Sequence, residues 1–311
     1  MSYQRQTDIV DRQSYSDFLA AKYWSTWLLL GVLWLLSWLP FSLLITMGRM
    51  IGRLLYRFTP ARRRICDINL SLCFPRWPEQ ERQRLLKATY LSYGMGLMET
   101  LVAWFRAPRH LLDSVEFHGL EHIEQGLVEG KGVLMVSGHF TIIDLAAYFF
   151  GTRAEFSVVQ RQQNNLLLNY FITRARRRSI KHCIARKDIR GMLRCLKRNE
   201  ILWYAPDQDY GRTESVFVSF FGIQTATITA TSRLAKMTGA KVLPCSFLRL
   251  KDGRYRVNVY PALAIPSGDD KADARSYNDW LEQEIEQCPE QYLWFHRRFK
   301  TRPDGEASFY Q

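Results

Sequence analysis

Short apolar segments alternate with longer amphipathic segments between residues 115 and 288. This alternation constrains the fold more than any other feature, because strands that alternate with helices form a sheet covered by helices. The expected strands are Val115–His118, Gly132–Val136, Glu155–Gln160, Ile201–Ala205, Lys241–Leu248 and Arg254–Tyr260. The expected helices are Glu121–Glu129, Thr141–Phe150, Asn165–Arg177, Asp188–Arg198, Ala226–Thr238 and Lys271–Cys288. The sequence therefore predicts a single α/β domain.

The segment before this region begins with a strongly apolar stretch. No charged residue lies between Lys22 and Arg49, and residues 24–39 are almost wholly apolar. This stretch is close to the length of a membrane-spanning helix, and Pro40 is expected to kink or end it. A buried helix, or one that lies in the membrane interface, is the alternative. We predict a polar lead and an N-terminal membrane anchor over residues 1–58, followed by the α/β domain over residues 59–311.

Basic residues crowd the C-terminal side of the apolar stretch: Arg49, Arg53, Arg57, Arg62, Arg63 and Arg64. If the helix spans the membrane, these residues favour a cytoplasmic α/β domain. If it lies on the surface, they would bind anionic headgroups. Two further helices are expected, one over Ala61–Leu72 and one from Pro78 towards Phe105, with a break around residues 94–96.

The balance of charge is strongly basic. Forty-three Lys and Arg residues against 30 Asp and Glu give a net charge of +13, which indicates an anionic partner such as nucleic acid, a membrane surface or an acidic substrate. The six cysteines are scattered and form no CxxC pair. They are therefore expected to be free thiols in a reducing compartment. No metal site or cofactor site is expected.

His139 and Asp144 form the leading candidate site. His139 follows the apolar run Val133–Val136 and a small-residue turn, and such positions lie at the carboxyl edge of a sheet, where open α/β folds bind ligands. Positions i and i+5 do not share a helix face. His139 is therefore expected at or before the helix cap, with Asp144 holding one ring nitrogen and leaving the other free as a base. The alternative is a purely structural role, in which His139 caps the helix or lies in the core and Asp144 is an unrelated surface residue.

This pair has no nucleophile of its own. Ser137 lies outside any GxSxG elbow, so the pair is expected to deprotonate a substrate hydroxyl. The nearby helix N-terminus should disfavour imidazolium and help to keep the base neutral.

Further polar side chains follow the other predicted strands. Arg161 comes after the strand that ends at Gln160 and could bind a phosphate or a developing oxyanion, or simply be a surface residue. Arg176 and Arg178 belong to a basic cluster at a helix end that could clamp phosphates or complement the helix dipole. Asp207 and Asp209 follow the strand Ile201–Ala205 and could form a site loop or cap a turn.

The sequence resembles the bacterial late acyltransferases of lipid A synthesis, within the wider HxxxxD/E acyltransferase superfamily. The matching stretches are Asn69–Pro75, Gly94–Thr100, Trp203–Gly211 and His296–Pro303. They extend from near the apolar stretch to almost the last residue. The long motifs are specific, whereas the HxxxxD pattern is shared with glycerolipid acyltransferases.

The resemblance implies a mixed-sheet acyltransferase domain on the cytoplasmic side of the bacterial inner membrane, preceded by a hydrophobic membrane helix. It implies acyl carrier protein as the acyl donor, with no other cofactor, and an anionic lipid A precursor as the acceptor. His139 and Asp144 match the catalytic base and its carboxylate. Close relatives often carry Glu at the position of Asp144. Arg161, Arg176, Arg178, Asp207 and Asp209 are candidates for substrate binding or oxyanion stabilisation.

The function expected from this resemblance is transfer of a fatty acyl chain from acyl carrier protein to a hydroxyacyl hydroxyl of Kdo2-lipid IVA. Laurate is the leading candidate for the transferred chain. Two alternatives remain open. A glycerolipid or lysophospholipid acyltransferase would use the same pair of residues but usually carries an acidic-Gly-Thr-basic phosphate loop. A non-catalytic binder of anionic polymers would fit the charge, although it gives His139 and Asp144 no role. We expect no nucleic-acid partner.

Overall fold

The computed structural model describes residues 13–310 and contains one large mixed sheet. Its strands are β1 (Val115–His118), β2 (Val133–Val136), β3 (Phe156–Gln160), β4 (His182–Ala185), β5 (Ile201–Tyr204), β8 (Lys241–Arg249) and β9 (Tyr255–Val259). The spatial order is β1-β9-β8-β2-β5-β3-β4, and every neighbouring pair is parallel except β8 with β9. A separate antiparallel hairpin joins β6 (Ser215–Phe220) to β7 (Ile223–Ile228).

Ten α-helices surround the sheet within the described range. They are α1 (Trp24–Ser37), α2 (Phe41–Phe58), α3 (Pro60–Cys73), α4 (Glu79–Phe105), α5 (Glu121–Val128), α6 (Ile143–Gly151), α7 (Leu166–Arg176), α8 (Ile189–Lys197), α9 (Ala230–Thr238) and α10 (Asp270–Gln287).

The central strand β2 divides the core into two layers. All four of its side chains are fully buried. Leu134 and Val136 pack into one apolar cluster, and Val133 and Met135 pack into the other. Successive side chains of a strand point to opposite faces of the sheet, and a strand covered on both faces is apolar throughout. The short apolar run in the sequence is thus a central strand with helices on both sides.

The α/β prediction is confirmed, and six strands lie within two residues of their expected bounds. Strand β4 and the hairpin β6–β7 were not predicted. Ala226 was assigned to a helix but lies in β7, and α9 begins at Ala230. The hairpin turn explains part of this error. Phe221 and Gly222 both have positive φ, of 50° and 79°, as a tight two-residue turn requires, and Phe is an unusual residue there.

The break expected around residues 94–96 is absent, because α4 runs unbroken from Glu79 to Phe105. The glycines serve close packing instead. A Cβ on Gly94 would lie 2.1 Å from the carbonyl oxygen of Gly48 in α2, and a Cβ on Gly96 would lie 2.4 Å from that of Thr141. Both glycines therefore allow another backbone to approach α4. The second contact fixes α4 against the loop that follows β2.

The expected N-terminal membrane helix is not supported. The apolar stretch forms α1, which ends at Ser37 before Pro40, and the amphipathic α2 follows. Among residues 13–310, no helix combines the length and the apolar character needed to cross a bilayer. Large apolar side chains nevertheless lie exposed on both helices: Trp24, Leu28, Leu29, Val32, Trp34 and Leu35 on α1, and Leu43, Met50, Leu54 and Phe58 on α2.

Candidate active site

The strand order brings the predicted site residues to one edge of the sheet. Strands β2, β5 and β3 are consecutive neighbours and run parallel, so their carboxyl ends meet at that edge. His139 follows β2, Asp207 follows β5 and Arg161 follows β3. Ligands of open α/β sheets bind at such carboxyl ends.

His139 is held by Asp207. The Nδ1 atom of His139 lies 2.5 Å from Oδ1 of Asp207, and the backbone N–H of His139 donates to Oδ2 of the same carboxylate at 2.8 Å. The carboxylate is almost fully buried, whereas 27% of the His139 side chain is exposed. Asp207 thus fixes one ring nitrogen and leaves Nε2 available to a substrate, which is the arrangement of a general base.

The predicted partner of His139 was wrong, because Asp144 binds Arg176. Arg176 donates from Nε to Oδ1 at 2.7 Å and from Nη2 to Oδ2 at 3.1 Å. The helix α6 begins at Ile143, so His139 stands four residues before it in a separate turn. The Asp144 carboxylate faces α7, from which Arg176 comes. The carboxylate that reaches His139 comes instead from the end of the neighbouring strand.

Backbone hydrogen bonds join the loop that carries His139 to the C-terminal segment. The carbonyl of His139 accepts from the N–H of Leu293 at 2.9 Å, and the N–H of Thr141 donates to the carbonyl of Gln291 at 2.9 Å. The Tyr277 hydroxyl donates to the carbonyl of Ser137 at 2.9 Å. Fixed backbone on both sides of His139 limits the positions that its ring can take, which favours catalysis by a positioned base.

A second buried network supports this loop from behind. Glu99 in α4 forms a buried ion pair with Arg249, and Arg249 also donates to Ser92 at 3.3 Å. The hydroxyl of Ser92 lies 3.1 Å from that of Thr141. The Gln291 side chain binds both the N–H and the carbonyl of Arg249. The conspicuous stretch Gly94–Thr100 thus contributes to placing the His139 loop.

The electrostatics of the pair favour a charged imidazole. Burial opposes the charge of His139, but the charge of Asp207 and the hydrogen bond to it outweigh burial and raise the pKa of His139 above its usual value. Burial likewise opposes the charge of Asp207, yet interactions with His139 lower its pKa to about 2. The expectation that the helix N-terminus keeps the imidazole neutral was therefore wrong, since Asp207 is the closer charge.

The raised pKa predicts how acyl transfer depends on pH. Only neutral His139 can accept a proton, so kcat/KM should rise with pH through the pKa of the free enzyme. Because that pKa is raised, the midpoint of this acidic limb should lie above about 6.5, the ordinary value for His. Initial rates measured between pH 5 and 9 at low substrate concentration would check this. A midpoint at or below the ordinary value would contradict a base paired with Asp207.

An open cavity of about 180 Å³ adjoins His139, and we call it the His139 cavity. Its lining mixes apolar side chains, among them Ile143, Ala147 and Val158, with the ion pair of Asp144 and Arg176. Apolar walls with a few polar groups are typical of sites for small molecules. His139 therefore faces a space that a substrate can enter.

The three predicted arginines have different surroundings. Arg161 is exposed, lines the His139 cavity and makes no ion pair or hydrogen bond within the described part of the chain. Arg176 lines the same cavity but is committed to Asp144 and to Gln160. Arg178 is exposed and lies outside the cavity lining. Arg161 is thus the predicted arginine that is available to a substrate at this cavity.

The ion pair of Arg176 and Asp144 should contribute to stability. Removing one partner of a buried pair costs about 3–5 kcal/mol, and the partial exposure of Arg176, 22% of its side chain, points to the lower end of that range. We expect Asp144→Asn to lower the free energy of unfolding by about 3 kcal/mol, as measured by urea denaturation. Asp279→Asn, which breaks a half-exposed pair with Arg275, is the control and should cost about 1 kcal/mol or less. Equal losses in the two variants would contradict a structural role for Asp144.

Asp209 does not reach the His139 cavity. Its carboxylate accepts from the N–H and the hydroxyl of Thr301 at 2.7 and 2.8 Å and from the N–H of Gly211 at 2.8 Å. Its own N–H donates to Nε2 of His296 at 3.0 Å. Burial lowers the pKa of His296, which favours the neutral ring that accepts this bond. Asp209 and His296 therefore join the loop after β5 to the C-terminal segment.

Other nucleophiles are poorly placed. The hydroxyl of Ser137 is buried and accepts from Nε1 of Trp203 at 2.7 Å. No cysteine lines the His139 cavity. Among residues 13–310, no three His, Cys, Asp or Glu side chains come together in a way that could hold a metal ion. The arrangement is thus suited to deprotonating a substrate hydroxyl.

Several contributors were missed by the sequence. Arg186, also exposed, lines the His139 cavity and lies 5.9 Å from the ring of Tyr210. Gln291 and Tyr292 hold the His139 loop from the C-terminal segment. No local motif marks these residues, since their roles depend on strand order and on a contact over more than 140 positions.

Comparison with known proteins identifies the family of this chain. The model of the bacterial lipid A biosynthesis acyltransferase family matches residues 12–301. The chain belongs to that family. The lipid A biosynthesis lauroyltransferase of Escherichia coli strain K12 is 42% identical over 298 residues, with 94% of this chain and 96% of that protein covered. The palmitoleoyltransferase of the same strain is 38% identical, with 94% and 97% covered.

The predicted enzyme class is confirmed by this membership: the protein is an acyltransferase of lipid A biosynthesis. Among solved structures, a 1-acyl-sn-glycerophosphate acyltransferase from Thermotoga maritima matches 81% of this chain and 97% of its own, at 16% identity and a TM-score of 0.37. A likeness that weak supports no argument about mechanism or substrate.

Proposed function

We propose that this acyltransferase moves a fatty acyl chain from acyl carrier protein to a hydroxyl on an acyl chain of Kdo2-lipid IVA. Laurate is the acyl chain that we expect it to prefer. The observation that carries the proposal is the pair of His139 and Asp207 beside an open cavity, in a chain that belongs to this family. Laurate is supported by the 42% identity to a lauroyltransferase.

In the proposed reaction, Nε2 of His139 takes the proton of the acceptor hydroxyl as its oxygen attacks the thioester carbon. A tetrahedral intermediate forms, and its oxyanion lies near the guanidinium of Arg161, which has no partner among the described residues. The carbon–sulfur bond then breaks, and the departing thiolate takes the proton from His139. Asp207 stabilises the imidazolium between these two steps. The ester is formed in one displacement, with no acyl-enzyme.

Charge supports the proposed donor. Acyl carrier protein is acidic, and Arg161 and Arg186 are exposed at the His139 cavity of a chain with net charge +13. Opposite charge on two partners speeds their encounter and orients them. The arginines would also be suitably placed to bind a phosphate group of either substrate.

The exposed apolar residues of α1 and α2 support a place at the cytoplasmic face of the bacterial inner membrane. Arg49, Arg53 and Arg57 are exposed on α2 beside apolar residues such as Leu54 and Phe58. Apolar and basic side chains together are typical of helices that lie in the interface of an anionic membrane. We therefore favour a peripheral attachment through these two helices.

A competition experiment tests the proposed function. The purified protein is given an equal mixture of acyl carrier proteins that carry laurate, myristate and palmitoleate, together with Kdo2-lipid IVA and lysophosphatidate. Mass spectrometry should show one added acyl chain, mainly laurate, on the glycolipid. Acylation of lysophosphatidate alone would support the glycerolipid alternative and overturn the proposal.

A further inference from the structure

A second cavity of about 430 Å³ lies between α2, the start of α3, α4 and the C-terminal segment. We call it the second cavity. Leu55, Tyr90, Tyr93 and Phe295 supply much of its lining, and the exposed Arg62 also lines it. The mechanism proposed above gives these residues no role.

The walls of the second cavity suit an amphiphilic ligand. The ring of Phe295 packs against those of Tyr90 and Tyr93, with centroids 4.8 and 4.9 Å apart. These rings and Leu55 give an apolar surface, whereas Arg62 contributes a positive charge. Within residues 13–310, Arg62 makes one weak hydrogen bond, to the carbonyl of Phe295 at 3.4 Å. An apolar chain attached to an anionic head would match both parts of the lining.

The second cavity adjoins the catalytic base. Gln208, which directly follows Asp207, lines both this cavity and the His139 cavity. Leu293 lines the second cavity and donates its N–H to the carbonyl of His139. The two cavities therefore meet at Gln208, close to the place where a proton would be transferred.

The two cavities differ in what lies next to them. Leu55 of the second cavity stands on α2 beside Leu54 and Phe58, which are 55% and 74% exposed. A lipid chain on that apolar surface has a short path into the second cavity. The His139 cavity is bordered instead by Arg161 and Arg186, which suit an acidic, water-soluble donor.

From this arrangement we infer that the second cavity binds the hydroxyacyl chain of the anionic lipid acceptor, while the acyl thioester of the donor occupies the His139 cavity. The inference rests on the proposed function, since it assigns the two substrates of that reaction to opposite sides of Gln208. The attacked hydroxyl would enter from the side of α2 and the thioester carbon from the side of Arg161.

Filling the second cavity tests this assignment. Leu55→Trp places a larger side chain in the lining, and Leu54→Trp, one residue earlier and outside the lining, is the matched control. With wild type, Leu54→Trp and Leu55→Trp in mixed micelles, KM is measured for Kdo2-lipid IVA and for lauroyl acyl carrier protein. The Trp side chain would exclude the acceptor's acyl chain from its apolar contacts in the cavity, so we expect Leu55→Trp to raise the acceptor KM at least about tenfold. The donor KM should stay within about twofold of the wild-type value.

A second variant covers the case in which Leu55→Trp fails to fold. Arg62→Gln alters an exposed side chain and should raise the acceptor KM about two- to fivefold, the range of one exposed ion pair. The control Arg190→Gln should not, because Arg190 is exposed on α8 and lines neither cavity. A raised donor KM with an unchanged acceptor KM, or unchanged KM values in both variants, would overturn the inference. Failure of the wild type to acylate the glycolipid would instead overturn the proposed function.

Discussion

Replacing His139 with Ala should lower kcat for acyl transfer about a hundredfold to ten-thousandfold, the usual contribution of a positioned general base. The imidazole lies at the carboxyl edge of β2, beside the His139 cavity, and no other imidazole lines that cavity. Steady-state rates with lauroyl acyl carrier protein and Kdo2-lipid IVA would measure the loss. The acceptor KM should change little, because the reacting proton contributes little to ground-state binding.

His118→Ala is a suitable control for this variant. His118 ends β1 at the far side of the sheet and has 59% of its side chain exposed. It should retain the wild-type rate. Near-normal transfer by the His139 variant, with its fold confirmed by thermal denaturation, would remove His139 from the mechanism.

Asp207→Asn is expected to lower kcat about a hundredfold to ten-thousandfold, comparable to the loss of a carboxylate that orients a catalytic His. Both oxygens of Asp207 accept from His139, one from Nδ1 and one from the backbone N–H. An amide has one oxygen and one NH₂ group, so in either orientation one N–H of the Asn side chain would face His139. If that group faces Nδ1, the ring takes the tautomer with a proton on Nε2 and can no longer act as the base.

Asp144→Asn provides the contrast with that variant. Asp144 binds Arg176 and leaves His139 to Asp207, so its replacement should mainly reduce stability. At a temperature where the variant is folded, its kcat should fall far less than that of Asp207→Asn. A larger loss of kcat in Asp144→Asn than in Asp207→Asn would return the orienting role to Asp144.

Several of the residues that meet at the site could be predicted from the sequence, but the pairing of His139 with Asp144 was wrong. His139 and Asp207 were identified as candidates because each follows a predicted strand, Asp144 because of its spacing from His139, and Arg176 mainly because of the family resemblance. The spacing of His139 and Asp144 suggested a local pair. The actual pairs join residues 68 and 32 positions apart. The first pair follows from the position of β5 beside β2, and the alternation of strands and helices does not determine strand order. The second pair joins α6 to α7, which lie in contact.

At the N-terminus, hydropathy likewise identified the apolar stretch but did not predict how it folds. The region that contains this stretch forms two helices of 14 and 18 residues, because the first helix ends at Ser37 and the second begins at Phe41, directly after Pro40. Tight contacts at Gly48 and Gly52 then hold α2 against α4. Only glycine permits such an approach, and the paired glycines gave no signal that linked the two segments in advance.

The pH dependence of kcat/KM in wild type and in Asp207→Asn tests most directly whether His139, held by Asp207, is the base. In the wild type the acidic limb should have its midpoint above the ordinary His pKa, because Asp207 raises the pKa of His139. Without the carboxylate charge, burial alone lowers that pKa, so the midpoint for the residual activity of Asp207→Asn should move to lower pH. Coincident acidic limbs in the two proteins would contradict the account.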